Sequence, residues 1–235
     1  MKKIVITAGG TSEKIDNVRK ITNSGTGKLG YKIANELLEK YEDLKIYYVC
    51  SKNSFKPNND RVEIVEIEGT IDLKNNIERL LKENKIDYFI HSMAVSDYMV
   101  DYVTNLDSIK SNNIKVISDT KISSNEDNLV LVLKPTPKVI SIIKDISKDT
   151  YLVGFKLLDN VSKEELISVA KKLRDKNNCD LVVANDLENI RRGNHKAYLI
   201  DREDNIEEAN GKDTIAKKLV RRILWKYYLL EGLGT

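Results

Sequence analysis

The sequence predicts an α/β fold in which a mostly parallel sheet is flanked by helices. Strand-like runs rich in β-branched residues alternate with helical runs from the N-terminus to Ala94, which is the rhythm of βαβ units. The alternation resumes in the second half of the chain and leads into a predicted hairpin, which a basic helix follows. Together these patterns predict a Rossmann-like core with a long flap and a C-terminal hairpin.

The first half predicts four strands and two amphipathic helices. The strands are expected at residues 3–8, 45–50, 62–67 and 87–94. One helix spans about 27–41, and its apolar stripe consists of Leu29, Ile33, Leu37 and Leu38. The next helix presents Leu73, Ile77, Leu80 and Leu81. Each helix therefore has one face that can cover the sheet.

The pattern fails between Tyr98 and Asn128, a segment rich in Ser, Asn, Asp and Lys. We expect a long structureless flap there, and such loops are usually functional or mobile. The second half then predicts the strand LVLVL, a helix from about Pro137 and the strand YLVGF, followed by a helix opened by the capping-box pair Ser162 and Glu165. We predict a single domain of residues 1–235. Its last elements are the strand CDLVVA, a hairpin that turns at REDN and a basic amphipathic helix.

Composition narrows the class of protein. Hydrophobic residues make up 41% and charged residues 32%, with a net charge of only +3, so nothing favours a nucleic-acid partner. No apolar run is long enough for a membrane span, and no secretory leader is recognisable. We therefore expect a cytoplasmic protein in which Cys50 and Cys179 are reduced core thiols.

Three glycines, Gly25, Gly27 and Gly30, match the dinucleotide spacing G-x-G-x-x-G. A dinucleotide site requires its first glycine directly after the first strand, but that strand ends near Ala8. The acidic residue expected after a second strand is also missing, and these two departures disfavour an NAD(P)-linked reductase. We expect instead that two glycine loops, 9–11 and 25–30, cradle a nucleoside triphosphate or phosphate beside a helix N-terminus. Simple tight turns remain the alternative interpretation.

Six segments of the chain, in order, resemble the phosphopantothenoylcysteine synthetase (phosphopantothenate–cysteine ligase) family. They are TAGGTSEKIDNVRKITNSGTGKLG, HSMAVSDY, KISS, LKPTPKVI, LVGFK and KKLRDKNNCDLVVAND. The resemblance extends from Lys3 to about Leu230 and is closest to the stand-alone bacterial form.

This resemblance implies a reaction in coenzyme A biosynthesis. CTP, or ATP in eukaryotic members, activates the carboxylate of 4′-phosphopantothenate as an acyl-nucleotide and pyrophosphate leaves. The amine of L-cysteine then attacks to give 4′-phosphopantothenoyl-cysteine. The family also implies Mg²⁺ on the triphosphate and a homodimer.

The resemblance assigns roles to individual residues. The catalytic positions are Asn23, which could hydrogen-bond the acyl carbonyl, and Lys121, a flap cation that could neutralise charge as the carboxylate meets the triphosphate. The nucleotide-binding positions are Gly10, Gly25, Gly27, Gly30, Asp97, Pro137, Lys138, Val139, Ile140, Phe155, Lys172, Lys176 and Asn185. The substrate-binding positions are Arg19, contributed to a neighbouring subunit, together with Asn23, Met93, Ala94 and Asp97. For Asp97, contact with a hydroxyl and contact with a Mg²⁺-bound water both remain open.

The chain also departs from the family pattern. Fused bacterial members carry Asn-His-Ser-Ser-Gly where this chain has Asn-Ser-Gly-Thr-Gly from Asn23 onwards, and the flap lysine cluster is reduced to Lys121. Lys156 follows Phe155 where the family has a small residue, which weakens the inference of CTP over ATP. A non-catalytic nucleotide sensor on the same fold is the main alternative, although it would need the glycine loops without the acylation residues.

Overall fold

The computed structural model describes residues 1–118 and 120–230, so part of the predicted domain of residues 1–235, at 119 and 231–235, lies outside the described residues. The strands are β1 (Lys2–Ala8), β2 (Ser12–Lys14), β3 (Lys20–Thr22), β4 (Leu44–Ser51), β5 (Val62–Ile67), β6 (Tyr88–His91), β7 (Tyr98–Asn105), β8 (Leu129–Pro135), β9 (Tyr151–Leu158), β10 (Leu181–Asp186), β11 (Lys196–Asp201) and β12 (Ile206–Asn210). The helices are α1 (Lys28–Lys40), α2 (Thr70–Glu83), α3 (Leu106–Lys110), α4 (Val139–Ile146), α5 (Lys163–Lys176), α6 (Leu187–Arg191) and α7 (Lys212–Leu230).

Eight strands form the main sheet in the order β12-β11-β10-β9-β6-β1-β4-β5. Six neighbouring strands of this sheet run parallel: β5, β4, β1, β6, β9 and β10. The strands β11 and β12 continue the sheet antiparallel. The predicted Rossmann-like, mostly parallel sheet is therefore confirmed. The strands β4 and β5 lie on one side of β1. The strands that follow in the main sheet, beginning with β6, lie on its other side. Ligands of such sheets bind where this order reverses, at the carboxyl ends of β1 and β6.

Helices cover both faces of the sheet, as the apolar stripes predicted. On one face, α1 and α7 pack over Ile4 and Ile6 of β1. On the other face, α2, α4 and α5 pack over Val5, because successive side chains of a strand point to opposite sides. Each fully buried Leu or Ile side chain contributes roughly 1.5–3 kcal/mol. Both cysteines are buried, Cys50 in the first cluster and Cys179 in the second, as expected for core thiols.

The prediction of a structureless segment at 98–128 is wrong for its first part. Residues 98–105 form β7, which pairs antiparallel with β8 in a two-stranded ribbon outside the main sheet, and α3 follows directly. The ribbon buries few side chains, with Val103 and Thr104 the buried members of β7. Such a strand lacks the apolar run of a central strand, and for that reason its sequence reads as a loop. The predicted strand LVLVL exists as part of β8, and its partner is β7.

Two local predictions in the second half are confirmed. The Ser162 side chain accepts a hydrogen bond from the Glu165 backbone N–H at 3.1 Å and caps α5, and β11 and β12 form the expected hairpin. Within residues 1–118 and 120–230, no helix has both the length and the apolarity needed to cross a bilayer.

Candidate functional site

A cleft of about 780 Å³ lies at the reversal point of the sheet. Its lining comes from the carboxyl ends of β1, β6 and β9, from the start of α1 and from the segment that leads into α4. Clefts of a few hundred to about 1,000 Å³ are typical of small-molecule sites. The position and the size both favour a nucleotide-sized ligand.

The segment between β1 and α1 is a small hairpin that the sequence analysis missed. β2 pairs with β3 from Ser12 opposite Thr22 to Lys14 opposite Lys20, and the Asn23 backbone N–H donates to the Thr11 carbonyl at 3.1 Å. The chain therefore leaves the sheet after β1, turns and returns to the same edge before α1 begins. This detour explains why the glycine motif lies so far from the first strand in sequence.

Residues 9–11 and 23–30, which we call the glycine cradle, pack backbone against backbone. A Cβ atom on Gly10 would lie 2.0 Å from the Asn23 carbonyl oxygen, and one on Gly25 would lie 2.4 Å from the Gly9 carbonyl oxygen. Real Cβ atoms do not approach backbone so closely, so these two positions require glycine. The two loops predicted to act together are in direct contact.

The cradle ends at the N-terminus of α1, which is arranged to favour an anion. Gly27, the N-cap residue, has a left-handed φ of 71° and no side chain caps the helix. The first turn of α1 contains no acidic residue. The unpaired backbone N–H groups and the helix dipole therefore favour a phosphate or carboxylate at this point of the cleft.

The end of β6 and the residues after it form hydrogen bonds with the end of β1 and with the cradle. Thr7 Oγ1 and His91 Nδ1 share a hydrogen bond of 2.9 Å, and the Met93 backbone N–H donates to the same hydroxyl at 3.2 Å. Ala94 then exchanges backbone hydrogen bonds with Gly9 and Thr11, at 2.9 and 3.1 Å. Burial lowers the pKa of His91 to about 4, so its imidazole is neutral at physiological pH.

Most of the predicted site residues line this one cleft. They are Asn23, Gly25, Gly27, Gly30, Met93, Ala94, Asp97, Pro137, Lys138, Val139, Ile140, Phe155, Lys176 and Asn185. Gly10 lies directly behind Asn23. Besides Gly10, three predicted residues are not among the lining residues: Arg19, Lys121 and Lys172, the last of which is exposed on α5 one turn before Lys176.

Asp97 is the acidic residue of the cleft, and its carboxylate forms an ion pair with Lys138. The loop that carries it is tied to β8, because the Thr136 backbone N–H donates to the Asp97 carbonyl at 3.0 Å. In the part of the chain that the structure describes, no three His, Cys, Asp or Glu side chains come together as a metal site. Among the lining residues of the cleft, Asp97 supplies the carboxylate.

A buried carboxylate anchors the flap to the hairpin turn. The Asp16 Oδ1 atom accepts the backbone N–H groups of Val18 and Arg19, at 2.8 and 2.7 Å. Its Oδ2 atom accepts the Arg19 Nε at 3.0 Å and the Ile122 backbone N–H at 3.1 Å. The Arg19 guanidinium also donates to the Ile122 carbonyl. Arg19 and Ile122, the residue that follows Lys121, are therefore held by one side chain.

The pKa of Asp16 reflects this anchor. Burial raises the pKa, but the backbone N–H groups of Arg19, Val18 and Ile122 and the guanidinium outweigh that effect and lower the pKa to about 2. The carboxylate is therefore ionised throughout the physiological range.

Sequence reasoning missed three basic side chains of the cleft: Lys28, His195 and Lys212. Lys28 lies inside the glycine motif, and this position is a sequence signal for a place in the cleft. His195 precedes β11 and Lys212 opens α7, and no local pattern marks either of them. They reach the cleft only through the packing of distant elements.

Comparisons with known proteins agree on one family. Residues 1–226 match the family model described as DFP, the DNA/pantothenate metabolism flavoprotein C-terminal domain. The chain is 36% identical over 205 residues to the coenzyme A biosynthesis bifunctional protein CoaBC of Thermococcus kodakarensis, a match that covers 86% of this chain and 45% of that protein. The chain spans about half the length of the curated relatives that it matches first.

Solved structures share the fold over nearly the whole chain. The DNA/pantothenate metabolism flavoprotein from Streptococcus pneumoniae has a TM-score of 0.86 at 35% identity and covers 96% of this chain and 100% of its own. A Cab2 mutant in complex with phosphopantothenate-cysteine has a TM-score of 0.76 at 17% identity and covers 96% of this chain and 86% of its own. At that identity the Cab2 similarity concerns the fold.

Proposed function

The chain belongs to the DNA/pantothenate metabolism flavoprotein C-terminal domain family, and we propose that it is a phosphopantothenate–cysteine ligase of coenzyme A biosynthesis. In this reaction a nucleoside triphosphate, CTP by preference, activates the carboxylate of 4′-phosphopantothenate, and cysteine then forms the amide. The observation that carries the proposal is the cleft in which Asn23 lies next to a backbone cradle suited to phosphate. Relatives named for coenzyme A biosynthesis support the same assignment.

In the first half-reaction the substrate carboxylate oxygen attacks the α-phosphorus, the bond to the β-phosphate bridging oxygen breaks, and pyrophosphate leaves. The cradle's backbone N–H groups would hold the phosphates at the start of α1. Two anions meet in this step, so a cation that arrives with the substrate lowers the barrier. We assign that role to Lys121, whose two neighbours are held, Ile122 by the Asp16 carboxylate and Thr120 by the Asn17 backbone N–H.

In the second half-reaction the cysteine amine attacks the acyl carbonyl, the bond from the carbonyl carbon to the phosphate oxygen breaks, and the nucleoside monophosphate leaves. The carbonyl oxygen gains negative charge in this step. The Asn23 side-chain amide can donate a hydrogen bond to that oxygen, and its position is set by backbone contacts with Thr11 and Gly10.

Mg²⁺ is part of the proposal, as a partner of the triphosphate. Asp97 is the carboxylate of the cleft that could reach a water or phosphate bound to the ion. When bound, the ion would neutralise phosphate charge and orient the leaving group. The Asp97–Lys138 ion pair would have to open for such a contact.

Three further assignments belong to the same proposal. The base and ribose would contact Phe155, Asn185 and the segment from Pro137 to Ile140, and Lys176, which lines the same cleft, would contact the phosphates. Arg19, which does not line its own cleft, would serve phosphopantothenate in the partner of a homodimer. The exposed Lys172 would reach the nucleotide only if it changes its position. We also propose a cytoplasmic location, which suits the free thiols of Cys50 and Cys179.

The test is pyrophosphate release by the purified chain with CTP and with ATP, each with and without phosphopantothenate and cysteine. We expect release that depends on phosphopantothenate, faster with CTP, and an amide product when cysteine is added. Nucleotide binding without any release would favour the non-catalytic sensor. Faster release with ATP would overturn the CTP assignment but leave the ligase assignment in place.

A further inference from the structure

The cleft contains a group of basic side chains to which the proposed reaction gives no role. Lys28, His195 and Lys212 all line it on the side of the α1 N-terminus. They come from three separate elements: the first turn of α1, the residue before β11 and the first residue of α7.

Two contacts bring these residues together. The Gly211 backbone N–H donates to the His195 carbonyl at 2.8 Å, so His195 lies beside the start of α7. One turn along α1 from Lys28, the Lys32 ammonium forms an ion pair with Asp213, the residue after Lys212. The first turns of α1 and α7 are therefore held side by side, with both lysines at the mouth of the cleft.

Carboxylates balance the local charge only in part. Asp213 is the acidic residue in the first turn of α7, and Lys32 engages it. Across residues 1–118 and 120–230, neither Lys28 nor Lys212 forms a direct ion pair with an acidic side chain, although Asp213 attracts Lys28 at longer range and the Lys28 ammonium lies 5.9 Å from the centre of the Phe55 ring. Burial together with the charges of Lys28 and Lys32 lowers the pKa of Lys212, and burial together with Lys212 lowers the pKa of His195. Cations held near each other without a counterion gain from a bound anion.

We propose that Lys28, His195 and Lys212 form a polyphosphate subsite that binds the β- and γ-phosphates of the nucleoside triphosphate and then the pyrophosphate that leaves. The identity of the anion rests on the function proposed above. The subsite adjoins the uncapped N-terminus of α1, where Gly27 and the following backbone N–H groups line the same cleft. Backbone dipoles and side-chain cations would therefore act on the same phosphates. A nucleoside monophosphate lacks those phosphates and should not depend on the subsite.

Titration calorimetry of the full chain with CTP, CMP and inorganic pyrophosphate, in buffer with Mg²⁺, tests this. Lys212→Gln should raise the dissociation constants of CTP and pyrophosphate by about tenfold or more and change that of CMP by less than about twofold, since one charge-assisted contact is lost. Lys212→Arg should keep affinity. Lys217→Gln, which removes an exposed charge from the same helix, is the matched control and should change nothing.

Unchanged CTP and pyrophosphate affinity in Lys212→Gln would overturn the subsite, as would an equal loss of affinity for CMP. If that variant does not fold, as judged by its melting temperature, the exposed Lys28→Gln gives the same comparison. If the wild-type chain catalyses ligation but the lysine substitutions leave its affinity for pyrophosphate unchanged, the subsite is contradicted and the ligase assignment is not. Lysine-dependent pyrophosphate binding without ligation by CTP or ATP would contradict the ligase and support the anion site.

Discussion

The glycine cradle and the flap (residues 98–128) are held in place by opposite kinds of contact. In the cradle, backbone atoms of Gly9, Gly10, Asn23 and Gly25 touch one another and leave no room for a Cβ atom. In the flap, nearly all side chains beyond α3 are exposed, and Ile122, which is 2% exposed, docks beside the Asp16 carboxylate.

The two regions therefore suit different tasks in the site. A cradle built from backbone contacts cannot adjust at one residue without moving its neighbours, which suits the fixed geometry that phosphate binding needs. The tip of the flap is docked through a few hydrogen bonds, from Ile122 to Asp16, from Arg19 to Ile122 and from the Asn17 backbone N–H to the Thr120 carbonyl, so a change at Asp16 should loosen it without disturbing the core. We therefore expect substitutions in the cradle to affect fold and function together, and substitutions in the flap to separate them.

The largest effect is expected for Gly10→Ala. The new methyl group would collide with the Asn23 carbonyl, so the catalytic amide and the phosphate donors must both move. Product formation should fall on the order of 1,000-fold, with a lower melting temperature. Gly193→Asn is the control, since a Cβ there meets nothing within 4 Å and Asn tolerates its φ of +79°. Near-normal activity in Gly10→Ala would show that the cradle is more adaptable than its contacts indicate.

Lys121→Gln should lower pyrophosphate release and product formation together, on the order of 100-fold, with the melting temperature unchanged. Asn23→Asp should keep pyrophosphate release and form little amide, because the amide acts in the second half-reaction. Lys115→Gln removes another exposed flap charge and should remain active. Equal loss of both half-reactions in the Lys121 and Asn23 variants would mean that their roles are assigned wrongly.

As the pH falls, protonation of His91 should lower the free energy of unfolding before Asp16, which anchors the flap, becomes protonated. Below its ordinary pKa of 6.5, His91 binds a proton in the unfolded chain but not in the fold until about pH 4, so stability is lost as the pH falls through this window. The free energy of unfolding, from urea titrations, should be about 2 kcal/mol lower at pH 5 than at pH 7. Asp16, with its pKa of about 2, stays ionised there. His91→Gln should remove most of this dependence and His195→Gln should keep most of it.

The smallest effect is expected for Asp16→Asn. The amide keeps an oxygen for Val18 and Arg19 but replaces the oxygen that Ile122 and the guanidinium use. We expect an increase of about fivefold in the KM for phosphopantothenate, and faster tryptic cleavage after Lys121 with little change in melting temperature. Asp101→Asn, which breaks the surface pair with Lys134, is the control. Unchanged cleavage in Asp16→Asn would show that the flap is held by something else.

Local patterns predicted the parts of the fold that depend on neighbouring residues. The stripe of Ile33, Leu37 and Leu38 and the Ser162 cap follow from helical spacing and from capping chemistry, and both are present. The two glycine loops were placed correctly at the edge of the sheet because each follows or precedes a recognisable element.

What the sequence could not predict depends on long-range contacts. The β7–β8 ribbon, the contact of Asp16 with Ile122 and the approach of Lys212 to Lys28 each join segments whose spacing follows no local rule. Side chains of this kind look like ordinary solvated charges in the sequence. Only the packing of α7 against α1 places Lys212 in the cleft.

The central position of β1 has a consequence for biosynthesis. Its neighbours β4 and β6 and the cradle's partner Ala94 all lie within the first 94 residues, so the backbone contacts of the cradle can form early as the chain emerges from the ribosome. The opposite wall, with Phe155 and Asn185, is translated later, and α7 comes last. A chain truncated before α7 would expose the apolar face of α1 around Ile33 and Leu37, a surface that chaperones and proteases recognise. The packing of α7 against α1 therefore completes the cleft only after its other walls have been translated.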